Sequence, residues 1–188
     1  SGFLIAVHCK LDILGVFISA FLTAFGGGMT RDVLADRTPY VFTSNLPLSL
    51  VIATVLIAML FKLHKITNLE GKWAFVISDA IGLSSFAITG AIIAIESDFN
   101  FLSAVMLAFI TAVGGGTIRD VLINRMPFIL VSEFYATVAL IIGSVVYILD
   151  AFELRNIFSL IIVFIFGVVL RVLAYYKKWH LPTLSKEN

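Results

Sequence analysis

One motif occurs twice in this chain and constrains the fold more than any other feature. GGGMTRD at 26–32 returns as GGGTIRD at 114–120, and residues 1–39 align with 89–127 without a gap at an offset of 88. The shared frame is T-A-x-G-G-G-x-x-R-D-V-L-x-x-R-x-P. Chance likeness between apolar segments does not put three glycines, an arginine, an aspartate and a proline in one register, so the chain contains a true internal repeat. Between the motifs lie long apolar runs. Ile13–Thr30, Thr38–Phe61 and Phe99–Ile118 carry no charge, and none alternates with period two. Such runs suit membrane-crossing helices, which need about 20 apolar residues, rather than barrel strands of about ten.

Composition supports lipid as the solvent. The 188 residues are 60% hydrophobic and only 13% charged, with a mean hydropathy of +1.06. Soluble domains carry roughly 25% charged residues. The balance of 13 basic against 12 acidic residues gives a net charge of +1, which excludes the basic footprint of a nucleic-acid binder. The lone Cys9 excludes an internal disulfide, and His8, His64 and His180 are too scattered to suggest a metal site. No Walker loop, nucleophile elbow, HExxH or dinucleotide fingerprint occurs, so neither an enzyme nor a bound cofactor is expected.

Three more spans read as Ala74–Ile95 with Asp79 inside, Phe128–Leu149 with Glu133 near its start, and Ile157–Tyr176 with Arg171 near its end. Ser1 aligns with Thr89, which lies well inside a span, so Ser1 is read as mid-helix. The first helix is therefore expected to be truncated here, with about 14–18 further residues upstream completing it. The fold class is an all-α membrane protein of seven transmembrane helices, built as two three-helix repeats plus a seventh helix. All of 1–188 forms one transmembrane domain, with repeat one at 1–72, repeat two at 73–150 and the seventh helix at 155–178. Because three is odd, the repeats must lie inverted to each other, an arrangement that puts a functional site near the midplane.

Basic residues in short loops set the orientation. Lys10, Lys62, Lys65, Lys72, Arg125, Lys177, Lys178 and Lys186 fall on one side, which is read as cytoplasmic. The N-terminus is then outside and the C-terminus inside, with Trp73 and Trp179 anchoring the cytoplasmic interface.

The repeated motif carries the candidate chemistry. Each glycine costs nearly 1 kcal/mol of helix propensity relative to alanine, so Gly26, Gly27 and Gly28, and likewise Gly114, Gly115 and Gly116, are expected to break or sharply kink their helices. Irregular backbone at membrane depth is tolerated only beside protein or water, so a break implies a cavity. The alternative is that small residues let two helices pack closely. One turn on come Arg31, Asp32, Arg119 and Asp120. Neighbouring residues on a helix point about 100° apart, which disfavours pairing within each motif and points to Arg31 with Asp120 and Arg119 with Asp32. Snorkelling to a nearby interface is the other reading of these charges. Thr23 and Thr111, three residues before each triplet, either offer their hydroxyls to the site or bond back to the preceding turn and help the kink. Asp79, with Ser84, Ser85 and Thr89, either lines a water path or assists helix packing. Arg171 reads as a snorkelling residue at a helix end.

Two inverted repeats of three spans, a seventh helix, and a glycine-rich motif followed by Arg and Asp in the second and fifth spans resemble the prokaryotic branch of the trimeric intracellular cation (TRIC) channel family, whose bacterial members are also grouped as a glycine-transporter-like domain family. The resemblance implies a homotrimer in the prokaryotic inner membrane with a pore in each protomer that passes monovalent cations, chiefly K+. It further implies that the two glycine triplets form the kinks and that Arg31, Asp32, Arg119 and Asp120 face the pore. Membrane lipids and a second and third copy of the chain are the partners it implies, with K+ or Na+ as permeant ions. The chain departs from the animal members in lacking their lysine-containing lipid-binding motif. A broken helix would offer carbonyls to cations but N–H groups to carboxylates, so a glycine transporter using the same site is the alternative function.

Overall fold

The computed structural model describes residues 1–62, 73–131 and 134–179. Lys65, Lys72, His64, Glu133, His180 and Lys186, which figure in the sequence reading, lie outside the described residues. Regular structure among the described residues is helical throughout: α1 (Gly2–His8), α2 (Ile13–Leu34), a 3-10 turn at Tyr40–Phe42, α3 (Leu46–Leu60), α4 (Trp73–Glu96), α5 (Phe101–Leu122), the single turn α6 (Phe128–Val131), α7 (Tyr135–Ala151) and α8 (Ile157–Tyr176). Four of these, α2, α4, α5 and α8, are long and apolar enough to cross a membrane, and α3 and α7 are shorter apolar helices. The protein is an integral membrane protein.

The repeat is written into the backbone as well as the sequence. Asp12 and Asn100, 88 residues apart, cap α2 and α5 by accepting the N–H of Gly15 at 2.7 Å and of Ser103 at 3.0 Å. Such caps satisfy N–H groups left over at a helix start. Helix ends repeat in the same way, with left-handed residues at Lys10 and Asp98 and at Asp36 and Asn124. The chain then reverses through Arg37 N–H to Asp32 C=O and Arg125 N–H to Asp120 C=O, both 2.8 Å. These are Schellman-type ends, which satisfy the last free carbonyls.

Two predicted spans are corrected. The run Thr38–Phe61 is not one helix: its first eight residues form a loop with a 3-10 turn, and α3 begins at Leu46 with Pro47 in its first turn. The run Phe128–Leu149 is likewise divided into α6 and α7, with Phe134 in the left-handed conformation before Tyr135. Absence of charge does not reveal these interruptions, although Thr43, Ser44 and Asn45 followed by Pro47 carry the turn and helix-start signals of α3.

Helix α5 is central, packed against α2, α4 and α7, while α8 lies on α4 and α7 and α3 lies on α2. The largest core joins Leu83, Ala87, Ala108, Val138, Ile142 and Val146 from α4, α5 and α7. A smaller one joins Phe3, Val16, Val51 and Val55 in the first repeat. Outer faces of α3 and α8 expose Leu50, Leu56, Phe158 and Ile162, as lipid-facing surfaces do.

Candidate functional site

The glycine triplets do not break their helices. Both α2 and α5 run unbroken through them, which corrects the expectation of a gap in the backbone. The glycines instead let two backbones touch. A Cβ on Gly27 would fall 2.1 Å from the Thr111 carbonyl oxygen, and one on Gly115 would fall 2.7 Å from that of Leu22. Packing across the crossing thus offsets the propensity cost that glycine brings to an isolated helix. Contacts run from Gly27 with Thr111 through Gly26 with Gly115 to Thr23 with Arg119. Numbers rise along one helix as they fall along the other, so α2 and α5 are antiparallel, as inverted repeats require.

Beyond each triplet the Arg and Asp pair within their own motif. Arg31 Nε donates to Asp32 Oδ1 at 2.8 Å, with Nη2 2.6 Å from the same oxygen. Arg119 Nε donates to Asp120 Oδ1 at 2.9 Å, with Nη2 at 2.8 Å. The expected pairing between repeats is therefore overturned. The angular argument considered where the Cβ atoms point, but an arginine stem is long enough to fold sideways and bring its Nε edge onto the next residue. Using one oxygen for the guanidinium frees the other. Asp32 Oδ2 accepts the Tyr40 N–H at 3.0 Å, and Asp120 Oδ2 accepts the Phe128 N–H at 2.9 Å. Each aspartate thus clamps its arginine and anchors the loop turn that begins just after Pro39 or Pro127.

Of the two readings of Thr23 and Thr111 the structure shows back-bonding, to Ser19 C=O at 2.7 Å and Leu107 C=O at 2.6 Å. Thr23 also accepts Arg119 Nη1 at 3.0 Å, joining the repeats.

A cavity lies on each side of the crossing. One, of about 50 Å³, is lined by Thr23, Asp79, Gly116, Thr117, Arg119 and Tyr135 among others. The second, of about 280 Å³, is lined by Gly28, Arg31, Asp32, Tyr40, Ser85 and Thr89 among others. Phe86 of α4 borders both. Asp79 reaches the Arg119 cavity only, which Tyr135 also lines. Arg171 does not snorkel. It is 1% exposed, with its guanidinium carbon 4.9 Å from the Tyr135 ring centroid and 5.9 Å from that of Phe128.

A family profile described as glycine transporter matches residues 1–63 and 76–151. The UPF0126 membrane protein YvgT of Bacillus subtilis is 36% identical over 98% of this chain and 90% of its own. A structure solved to explain conductance through TRIC cation channels superposes with a TM-score of 0.86 at 35% identity, covering 100% of this chain and 91% of that one. The TRIC trimeric intracellular cation channel orthologue from Rhodobacter sphaeroides superposes with a TM-score of 0.84 at 29% identity, covering 94% and 90%. The chain belongs to the TRIC cation channel family. The TRIC channels and membrane proteins it resembles are not enzymes, in keeping with the absence of catalytic motifs from the sequence.

In this TRIC family member the predicted residues fall into three groups. Gly26, Gly27, Gly114 and Gly115 form the crossing, with the buried Thr111 against it. Gly28, Arg31 and Asp32 border one cavity, and Thr23, Asp79, Gly116 and Arg119 border the other, with Asp120 holding Arg119 from behind. Sequence reasoning missed Tyr135, Phe128, Phe86 and the burial of Arg171. For Arg171 a signal existed: one charge in a 20-residue apolar helix more often faces the protein interior than lipid.

Proposed function

We propose that the protein is a cation channel, selective for K+ and other monovalent cations, with its pathway inside each protomer of a homotrimer. The observation that carries this reading is the pair of cavities related by the repeat, each bordered by an arginine held on its own aspartate, on opposite sides of the α2 and α5 crossing. Because both helices are unbroken, ion contacts come from side chains rather than freed carbonyls. Thr23, Asp79 and Thr117 supply oxygens on one side, and Asp32, Ser85 and Thr89 on the other. The arginines limit how many cations occupy each cavity, since a fixed positive charge raises the energy of a second one nearby. Passage requires the crossing, and Phe86 beside it, to loosen enough to join the two cavities. Gly28 and Gly116, next to the cavities, leave room for that movement.

The channel lies in the prokaryotic inner membrane with lipid around α3 and α8. The gathering of Lys10, Lys62, Arg125, Lys177 and Lys178 on one side supports a cytoplasmic C-terminus. The stacking of Trp73 on Tyr176, ring centroids 6.2 Å apart, marks the same interface.

Single-channel recording of purified protein in planar bilayers tests the reading. Unitary currents that reverse near the K+ equilibrium potential are expected. Absence of unitary current together with saturable glycine uptake into liposomes would overturn the channel in favour of a transporter.

A further inference from the structure

The two repeat-related cavities differ in what their oxygens can offer. Around the Arg119 cavity, Ser78 Oγ donates its proton to Phe75 C=O at 2.9 Å, Thr117 Oγ1 to Val113 C=O at 2.9 Å, and Thr23 Oγ1 to Ser19 C=O at 2.7 Å. A hydroxyl that has given its proton away can only accept. Thr23 already accepts Arg119 Nη1, which leaves the oxygens of Ser78 and Thr117. Beside them stands Asp79, whose Oδ2 is buried and has no hydrogen-bond partner among the described residues. Buried polar atoms in native proteins are paired, so one that finds no partner in the chain points to a bound water or ion. Among the residues lining the Arg31 cavity the carboxylate is already engaged. Asp32 accepts Arg31 through Oδ1 and the Tyr40 N–H through Oδ2. The position of Thr117 is held there by Met29, which has no hydroxyl.

We propose that the Arg119 cavity holds a binding site for one alkali cation, K+ or Na+, with Asp79 Oδ2 as its charged ligand and the Ser78 and Thr117 hydroxyls as neutral ones. A cation is the occupant that suits a set of oxygens with only lone pairs to give. The cavity, of about 50 Å³, has room for about three or four water-sized occupants, enough for an ion that keeps part of its hydration. Gly82, three residues after Asp79, also borders it, and a Cβ there meets nothing within 4 Å, so no side chain fills the space. One carboxylate with neutral oxygens matches a single positive charge, whereas Ca2+ takes about six to eight oxygens, several of them from carboxylates. The guanidinium of Arg119 is occupied elsewhere, with Nε and Nη2 on Asp120 and Nη1 on Thr23. Cations are therefore held on the Arg119 side and only pass on the Arg31 side. The site deepens the cation-channel reading and rests on it for a role in permeation, but binding is tested without a current.

K+ is titrated against N-methyl-D-glucamine at constant ionic strength, with the purified full chain in detergent. Cys9, the only cysteine, is replaced and a new one is placed in the cavity as C9S/G82C. Rising K+ is expected to slow labelling of this variant by neutral methyl methanethiosulfonate in a saturable way. The thermal midpoint of the wild type is expected to rise over the same range, since a ligand of the folded state stabilises it. D79N should raise the half-saturating K+ concentration at least about tenfold, as loss of a charged ligand does. T117V should raise it about threefold, as loss of a neutral oxygen does. A purely structural role for Asp79 predicts instead a midpoint lowered equally in both salts and an unchanged half-saturation. Should D79N not fold, T117V carries the test. No saturable K+ effect in the wild type, or half-saturation unchanged in the variants that fold, overturns the proposal. K+ binding that weakens as stated in a protein passing no unitary current removes the channel reading and leaves the site standing. Unitary current without saturable K+ binding removes the site and leaves the channel.

Discussion

The two copies of the repeated motif build the same clamp and then part company. In both, the aspartate grips its preceding arginine with one oxygen and the loop N–H eight residues on with the other. Around Asp120 the clamp is sealed, with side-chain exposures of 4% for both Arg119 and Asp120. Around Asp32, the arginine is 14% exposed. Arg119 reaches Thr23 of the other repeat and shares its cavity with Asp79 and Tyr135. At the position of Tyr135 the first repeat has Pro47, which has no hydroxyl, and α8 supplies its buried arginine to the second copy only. The repeated residues therefore determine the backbone clamp, whereas positions at which the copies differ, such as Tyr135 and Pro47, and the added α8 give each clamp its own surroundings.

The largest expected effect is at the crossing that both copies share. Gly27→Ala and Gly115→Ala push a Cβ into backbone carbonyls of the opposite helix, so each should cost about 3 kcal/mol or more and lower the thermal midpoint in detergent sharply. Gly28→Ala and Gly116→Ala meet only the tips of Arg31 and Arg119, at 3.9 and 3.7 Å. They should be neutral or gain up to about 1 kcal/mol from helix propensity. Equal effects of the inner and outer glycines would break the close-packing account. Next, Asp120→Ala leaves a buried arginine unpaired and its loop N–H unanchored, which should cost about 3–5 kcal/mol. Asp32→Ala should cost less, because Arg31 is nearer water, and denaturant unfolding of the two variants side by side sharpens the comparison. Equal losses would mean that the difference in exposure has no energetic weight. The smallest effect is expected at Arg37 and Glu96, an exposed pair 3.1 Å apart. Its removal should change stability by less than about 1 kcal/mol, since it joins the ends of α2 and α4 in water.

Much of the fold is legible in the sequence because it depends on local pattern. The offset of 88, the helical character of α2, α4, α5 and α8, and the back-bonding of Thr23 and Thr111 all follow from neighbours within one or two turns. The interruptions before α3 and α7 were not legible from the absence of charge, although Thr43 to Asn45 before Pro47, and the repeated spacing from Asp32 to Pro39 and from Asp120 to Pro127, signal a loop. The site was legible as a set of residues but not as a set of partnerships. Arg31 and Arg119 each had two aspartates within plausible reach, and the pairing depended on how each stem folds.

By itself the sequence determined that this is a helical membrane protein made of two inverted copies, because apolar length, an odd number of spans and a gapless repeat allow little else. Only the tertiary structure decided what the glycines do and whom the charges serve. A glycine's cost inside one helix is a property of that helix, but its gain comes from a second backbone within contact distance, which lies 88 residues away in the other copy. In the same way, a lone Arg171 reads as a helix-end residue in one dimension. It becomes an interior residue, its guanidinium over the Tyr135 ring, only when α8 packs against α4 and α7, so that the low-dielectric interior, rather than lipid headgroups, surrounds its charge.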